Sequence, residues 1–213
     1  MKKLDTIRKV LDQEFPKPAV ELHHSNPLEL LIATILSAQC TDERVNRVTA
    51  SLFKKYRKAI DYAEADPKLF EQEIRSTGFY KSKAKNIIRC CQALVQRFGG
   101  QVPKTMEELT TLPGVWRKTA SVILGNCFGQ PAIVVDTHVL RVSRRLGLTR
   151  SEDPDEVERD LAKLLPESSW TRVSHQLLLH GRYICKAKKP DCPSCGMKSV
   201  CAFYSSQSPS KAV

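Results

Sequence analysis

From Leu4 to Tyr183 the apolar residues recur at helical spacing, and glycine or proline stands at most points where the pattern breaks. That periodicity confines the chain to an all-α fold. It predicts helices over 4–15, 27–36, 42–55, 59–64, 67–76, 82–98, 105–111, 117–127, 137–146, 154–164 and 170–183. Ser25-Asn26 before Pro27, and Thr41 before Asp42, read as polar caps. The one β-like run, Ala132 to Val135, is short and lies between a turn and a cap, so it reads as an extended connector. No fixed-period repeat is present. The Ser-, Gln- and Pro-rich tail from Ser205 is expected to lack fixed structure.

The longest apolar run, Leu28 to Leu36, is interrupted by Glu29. It falls far short of the roughly 20 residues of a membrane span. Basic Met1-Lys2-Lys3 leads into an amphipathic stretch, not an apolar signal segment, so an intracellular location is expected. Lys and Arg outnumber Asp and Glu by 34 to 23, a net charge of +11, which favours a polyanionic partner such as nucleic acid. Eight cysteines in an intracellular chain argue against a disulfide framework. Cys40, Cys90, Cys91 and Cys127 fall within apolar patterns and read as small buried hydrophobes.

The other four cysteines crowd the C-terminal end. Cys185, Cys192, Cys195 and Cys201 give the spacing C-x6-C-x2-C-x5-C. Four thiolates this close together in sequence can enclose a metal centre, either zinc or an iron–sulfur cube. Only one short knuckle is present, and the two longer gaps favour the bulkier cube. Arg182, Lys186, Lys188, Lys189 and Lys198 surround the quartet, either to meet phosphates or to offset thiolate charge.

Leu112 to Ala120 joins two predicted helices through Pro113-Gly114. Gly114 permits a positive φ, and the start of the next helix offers unpaired N–H groups, an arrangement suited to a phosphate. Lys118 falls in the first turn of that helix. The helix dipole disfavours a protonated amine there, and partial burial would act in the same direction; both favour the neutral amine that a Schiff-base nucleophile needs. Eighteen residues on, Asp136 precedes a helix and reads as its N-cap, which would hold a carboxylate in a fixed orientation. Each residue also has an ordinary reading, a solvated helix lysine and a simple cap.

Together, L-P-G-V-x-R-K-T-A at 112–120, V-D-T-H-V at 135–139, the cysteine quartet and the Lys-to-Asp spacing resemble the endonuclease III family of bifunctional DNA glycosylases, within the helix-hairpin-helix superfamily. The resemblance runs from about Leu4 to Phe203. It implies two helical lobes with a DNA-binding cleft between them. One is a helical barrel with the helix-hairpin-helix motif at 20–131. The other is a 4Fe-4S cluster lobe formed by 1–19 and 132–213. It implies that Lys118 and Asp136 are catalytic and that Cys185, Cys192, Cys195 and Cys201 bind the cluster. The expected partner is double-stranded DNA with damaged bases or abasic sites, and oxidised pyrimidines are the expected lesions. The protein is expected to act as a monomer, through base flipping, a lysine Schiff base and β-elimination.

The resemblance also nominates DNA contacts. Gln39 is similar to the residue that fills the gap left by a flipped nucleotide. Phe79 is similar to a wedge, although a core anchor at a helix junction is an equal reading. Lys81 and Ser82 follow Phe79. Gly114, Val115, Trp116 and Arg117 form the hairpin, and Thr137 and His138 follow Asp136. His180-Gly181-Arg182 also resembles the family. Trp116 departs from it, because a small residue, often glycine, is usual there. If that position needs positive φ, the strain is roughly 1–3 kcal/mol. Two rival classes remain. A monofunctional adenine or mismatch glycosylase generally lacks the hairpin lysine. A non-enzymatic iron–sulfur DNA-binding module would explain the charge and the quartet but not the Lys–Asp pair.

Overall fold

The computed structural model describes residues 2–207. Among them all regular structure is helical. The chain divides into two compact units, Val20–Gln130, and Met1–Ala19 with Pro131–Val213.

The Val20–Gln130 unit contains α2 (Pro27–Ser37), α3 (Asp42–Lys55), α4 (Ala59–Ala63), α5 (Pro67–Glu73), α6 (Tyr80–Phe98), α7 (Met106–Thr110) and α8 (Arg117–Cys127). Helix α2 is apolar on nearly every side and is buried accordingly, from Leu28 through Leu36. Its N-cap Asn26 accepts from the Glu29 backbone N–H, while Glu29 Oε2 accepts from the Ser25 N–H and hydroxyl. Thr41 caps α3, Asp66 caps α5 and Thr105 caps α7 in the same manner. Tyr56, Tyr62 and Phe70 form an aromatic cluster, stacked at 4.9 Å and edge-on at 5.5 and 6.0 Å. The segment predicted as one helix over 67–76 breaks after Glu73 and resumes as a 3-10 turn, Arg75–Thr77.

The other unit contains α1 (Lys2–Glu14), α9 (Thr137–Leu146), α10 (Pro154–Leu164), α11 (Trp170–Tyr183) and α12 (Ala202–Gln207). Ile7 and Leu11 of α1 share one core with Val139, Val142, Leu146, Val157, Leu161 and Leu177. The first helix therefore folds with the C-terminal half of the chain. Polar contacts fix it there: Gln176 Nε2 donates to the Leu11 and Phe15 carbonyls, and Arg172 pairs with Asp12 at 2.8 Å.

The tail expectation needs correction. Ser205, Ser206 and Gln207 lie within α12, and residues 208–213 fall outside the described part. The cause is tertiary. The Arg145 guanidinium sits 4.4 Å from the Phe203 ring centre and anchors a segment with little helical signal of its own. No helix among the described residues is long and apolar enough to cross a membrane.

Candidate active site and cysteine centre

The hairpin lies in the Val20–Gln130 unit, between α7 and α8. Gly114 has φ +77, and a Cβ there would lie 2.8 Å from Asn86 Cβ on α6. Only glycine lets the turn press this closely on α6. Val115 is buried and its N–H bonds the Leu112 carbonyl, which closes the turn. Trp116 is the N-cap residue of α8 and supplies no side-chain cap. Its φ of −101 and ψ of 168 are ordinary extended backbone. The strain considered for Trp116 is therefore absent, because the positive φ falls two residues earlier, on Gly114. The indole is 79% exposed. Arg117 and Lys118 are exposed as well. The partial burial considered for Lys118 is not found, because the first turn of α8 faces outward.

Two further loops belong to the same unit. Gln39 (φ 53) and Phe79 (φ 48) are the only non-glycine residues with positive φ among those described. Phe79 is 67% exposed, which rules out the core-anchor reading, and Gln39, Lys81 and Ser82 are exposed too. Lys83 follows them and is 5% exposed. Sequence reading missed it. The available signal was its place on the face of α6 shared by Ala84, Ile87, Ile88, Cys91 and Leu94.

Asp136 lies in the other unit and caps α9. Its Oδ1 accepts from the His138 and Val139 N–H groups at 2.9 and 2.8 Å, leaving Oδ2 for another partner. Thr137 is exposed. His138 is half-buried, with Nδ1 3.2 Å from Arg141 Nη2. A Cβ on Gly181 would lie 2.9 Å from His138 Cβ, so glycine at that position lets α11 pack closely on α9.

Cys185, Cys192, Cys195 and Cys201 are all half-buried and line one hollow of about 380 Å³, including its open mouth. Burial pushes the Cys192 thiol up, and neighbouring Cys185 and Cys201 add to the effect. Among the described residues, no three His, Cys, Asp or Glu side chains gather tightly enough to hold a single metal ion. Arg145 donates to Cys185 Sγ at 3.3 Å and to the Lys186 and Ala187 carbonyls. His180, 1% exposed, places Nε2 3.8 Å from Cys195 Sγ while its Nδ1 meets Glu14 Oε2 at 2.8 Å. Arg145 and His180 thus surround the sulfurs, and the sequence marked only His180. Of the remaining cysteines, Cys90 and Cys91 are buried as expected, with Cys90 pushed up to about 12 by burial. Cys40 and Cys127 are only half-buried, since Cys40 lies in the turn after α2 and Cys127 ends α8.

Residues 32–167 match the family described as HhH-GPD superfamily base excision DNA repair protein. Endonuclease III of Synechocystis sp. is 50% identical over 193 residues, covering 90% of this chain and 88% of that protein. The Bacillus subtilis endonuclease III is 48% identical, covering 88% and 86%, and the Escherichia coli enzyme is 40% identical, covering 95% of each. A trapped endonuclease III–DNA covalent intermediate, an estranged-adenine complex, superposes with a TM-score of 0.90 at 48% identity over 95% of this chain and 97% of that one. A non-covalent endonuclease III–DNA complex gives 0.91 at 46% identity, covering 97% and 98%.

Proposed function

The chain belongs to the endonuclease III family of helix-hairpin-helix base excision repair proteins, and from that premise we infer that it is a bifunctional DNA glycosylase and AP lyase acting on oxidised pyrimidines in duplex DNA. The observation that carries this reading is the exposed Lys118 at the start of α8, in a chain 48% identical to the protein of a trapped covalent DNA intermediate.

The neutral amine of Lys118 attacks C1′ of the flipped nucleotide. The C1′–N bond breaks, and its electron pair and a proton leave with the base. DNA closing over the exposed amine excludes water from it. Asp136, with Oδ1 held by the cap, offers Oδ2 as a negative charge beside the positive charge that develops on the sugar. The sugar ring opens and Lys118 becomes a Schiff base. That base acidifies the C2′ proton, whose loss expels the 3′ phosphate and cuts the strand. Water then releases the lysine.

Other residues bind and open the duplex. The turn at Gly114 and the start of α8, with Val115, Trp116 and Arg117 around it, receive a phosphate of the backbone. Gln39 and Phe79 enter the stack, Lys81 and Ser82 meet the backbone beside them, and Thr137 and His138 support the strand near Asp136. Cys185, Cys192, Cys195 and Cys201 hold a 4Fe-4S cluster. The four thiols line one hollow, which supports their serving as ligands to one group, and their C-x6-C-x2-C-x5-C spacing favours the cube. When bound, the cluster would cross-link the four thiolates and so order residues 185–201.

Borohydride trapping on a lesion panel tests this reading. A covalent complex with thymine glycol and abasic duplexes, and none with adenine mispairs or G·T mismatches, is expected. Release of base without any trappable complex would favour a monofunctional enzyme.

A further inference from the structure

Lys83 is a buried lysine whose nitrogen faces carbonyl oxygens instead of a carboxylate. It sits on the apolar face of α6 at 5% exposure. Burying an ammonium is costly unless its donors are satisfied. Here Nζ donates to the Leu36 carbonyl at 2.7 Å and to the Thr77 carbonyl at 2.8 Å. Burial lowers its pKa, with the Cys40 thiol acting weakly in the other direction.

The positions of the two acceptors matter. Leu36 lies in the last turn of α2, three residues before Gln39. Thr77 closes the 3-10 turn, two residues before Phe79. One side chain therefore ties together the roots of two loops that are 40 residues apart in sequence. Those loops carry the only non-glycine positive-φ residues described. Each such conformation is strained and persists only where the surroundings over-determine it. Lys83 supplies two of the bonds that do so.

We propose that Lys83 is a positioning residue that holds Gln39 and Phe79 as a preset pair for entry into duplex DNA. The proposal rests on reading those two residues as the ones that enter the stack. Opening a duplex costs unstacking free energy, which side chains entering the stack offset. Loops fixed beforehand do not charge their ordering to binding. Single-stranded DNA has no paired stack to open, so the clamp contributes to duplex reactions and little to single-strand reactions.

The test uses the full chain carrying its metal centre, with Lys83→Met and Lys83→Arg variants whose folding is checked by melting. Abasic-site cleavage is measured on a duplex with 2-aminopurine opposite the site, and on the same strand alone. In Lys83→Met the ratio of duplex to single-strand kcat/KM is expected to fall about 10-fold, mainly through KM, with a weaker 2-aminopurine rise on binding. Lys83→Arg keeps the charge and two donors and is expected to lose less. In a Gln39→Ala/Phe79→Ala background, Lys83→Met should leave the ratio unchanged. Equal losses on duplex and single strand, or unchanged ratios in both variants, would overturn the proposal. If Lys83→Met does not fold, the Lys83→Arg ratio alone decides, and an unchanged value overturns it. Failure of the unmodified protein to form any Schiff base would instead sink the glycosylase–lyase reading, so the two failures are distinguishable.

Discussion

Lys83 and Lys118 both stand in the first turn of a helix in the same unit, in opposite surroundings. Lys83 is buried and its nitrogen is held by two carbonyls. Lys118 is exposed, on a helix start with no side-chain cap. Burial lowers the pKa of Lys83, yet that amine attacks nothing, because two carbonyls already occupy its nitrogen. A perturbed pKa marks a functional candidate only when the atom is free to meet a substrate.

The sharpest way to break this contrast is to exchange the consequences. Lys118→Ala should abolish borohydride trapping and lower strand cleavage by roughly 10³-fold or more, with a melting temperature close to that of the parent. A comparable loss of trapping in a folded Lys83→Met would erase the distinction. Next in size, Asp136→Asn keeps a good cap and removes the charge. Cleavage of a damaged-base duplex should drop about 10²-fold while stability stays within about 1 kcal/mol, and unfolding curves beside single-turnover rates separate the two.

Gly114→Ala asks how far the hairpin beneath Lys118 depends on α6, the helix that carries Lys83. The added Cβ meets Asn86 at 2.8 Å on a positive-φ backbone. About 2–4 kcal/mol of stability should be lost in urea unfolding, with weaker DNA binding. His175 extends the comparison to a buried base in the other unit. Burial lowers its pKa below 6.5, so above that value it is neutral folded and unfolded. As pH falls from 6.5 toward the depressed folded value, only the unfolded chain takes up the proton. Stability then declines by up to about 1.4 kcal/mol per pH unit, and His175→Gln should flatten the slope. The smallest effect is expected from Trp116→Gly. With no strain to relieve, stability should change by about 1 kcal/mol or less, and lesion preference or affinity should change more. Identical behaviour on a lesion panel would show that the indole does not meet DNA.

Much of this was legible beforehand, for physical reasons that differ between regions. Helices over 117–127, 137–146, 154–164 and 170–183 have the bounds the sequence predicts. At 137–146 and 154–164 those bounds follow from a capping aspartate at the start and a glycine or a Leu-Pro break at the end. Gly114 was legible as a turn because no other residue suits its φ. The strain considered for Trp116 is absent, since the positive φ stops at Gly114 and periodicity does not say whether a second hairpin residue shares it. Helix α12 escaped notice because Arg145, 58 residues before Phe203, anchors it. At Lys83 polarity argues for exposure against its place on the apolar face of α6, and the carbonyls of Leu36 and Thr77 that make its burial tolerable are not visible in the sequence. At the cysteine centre the spacing revealed four sulfurs. The arginine and histidine around them come from α9 and α11, which only folding brings to the loop.

The central claim is that Lys118, and no other amine, forms the covalent bond to DNA. Borohydride reduction of the complex with an abasic duplex, followed by proteolysis and mass mapping of the modified peptide, tests it directly. The deoxyribose adduct is predicted on Lys118. An adduct on Lys83, on another lysine or on the N-terminal amine would contradict the account.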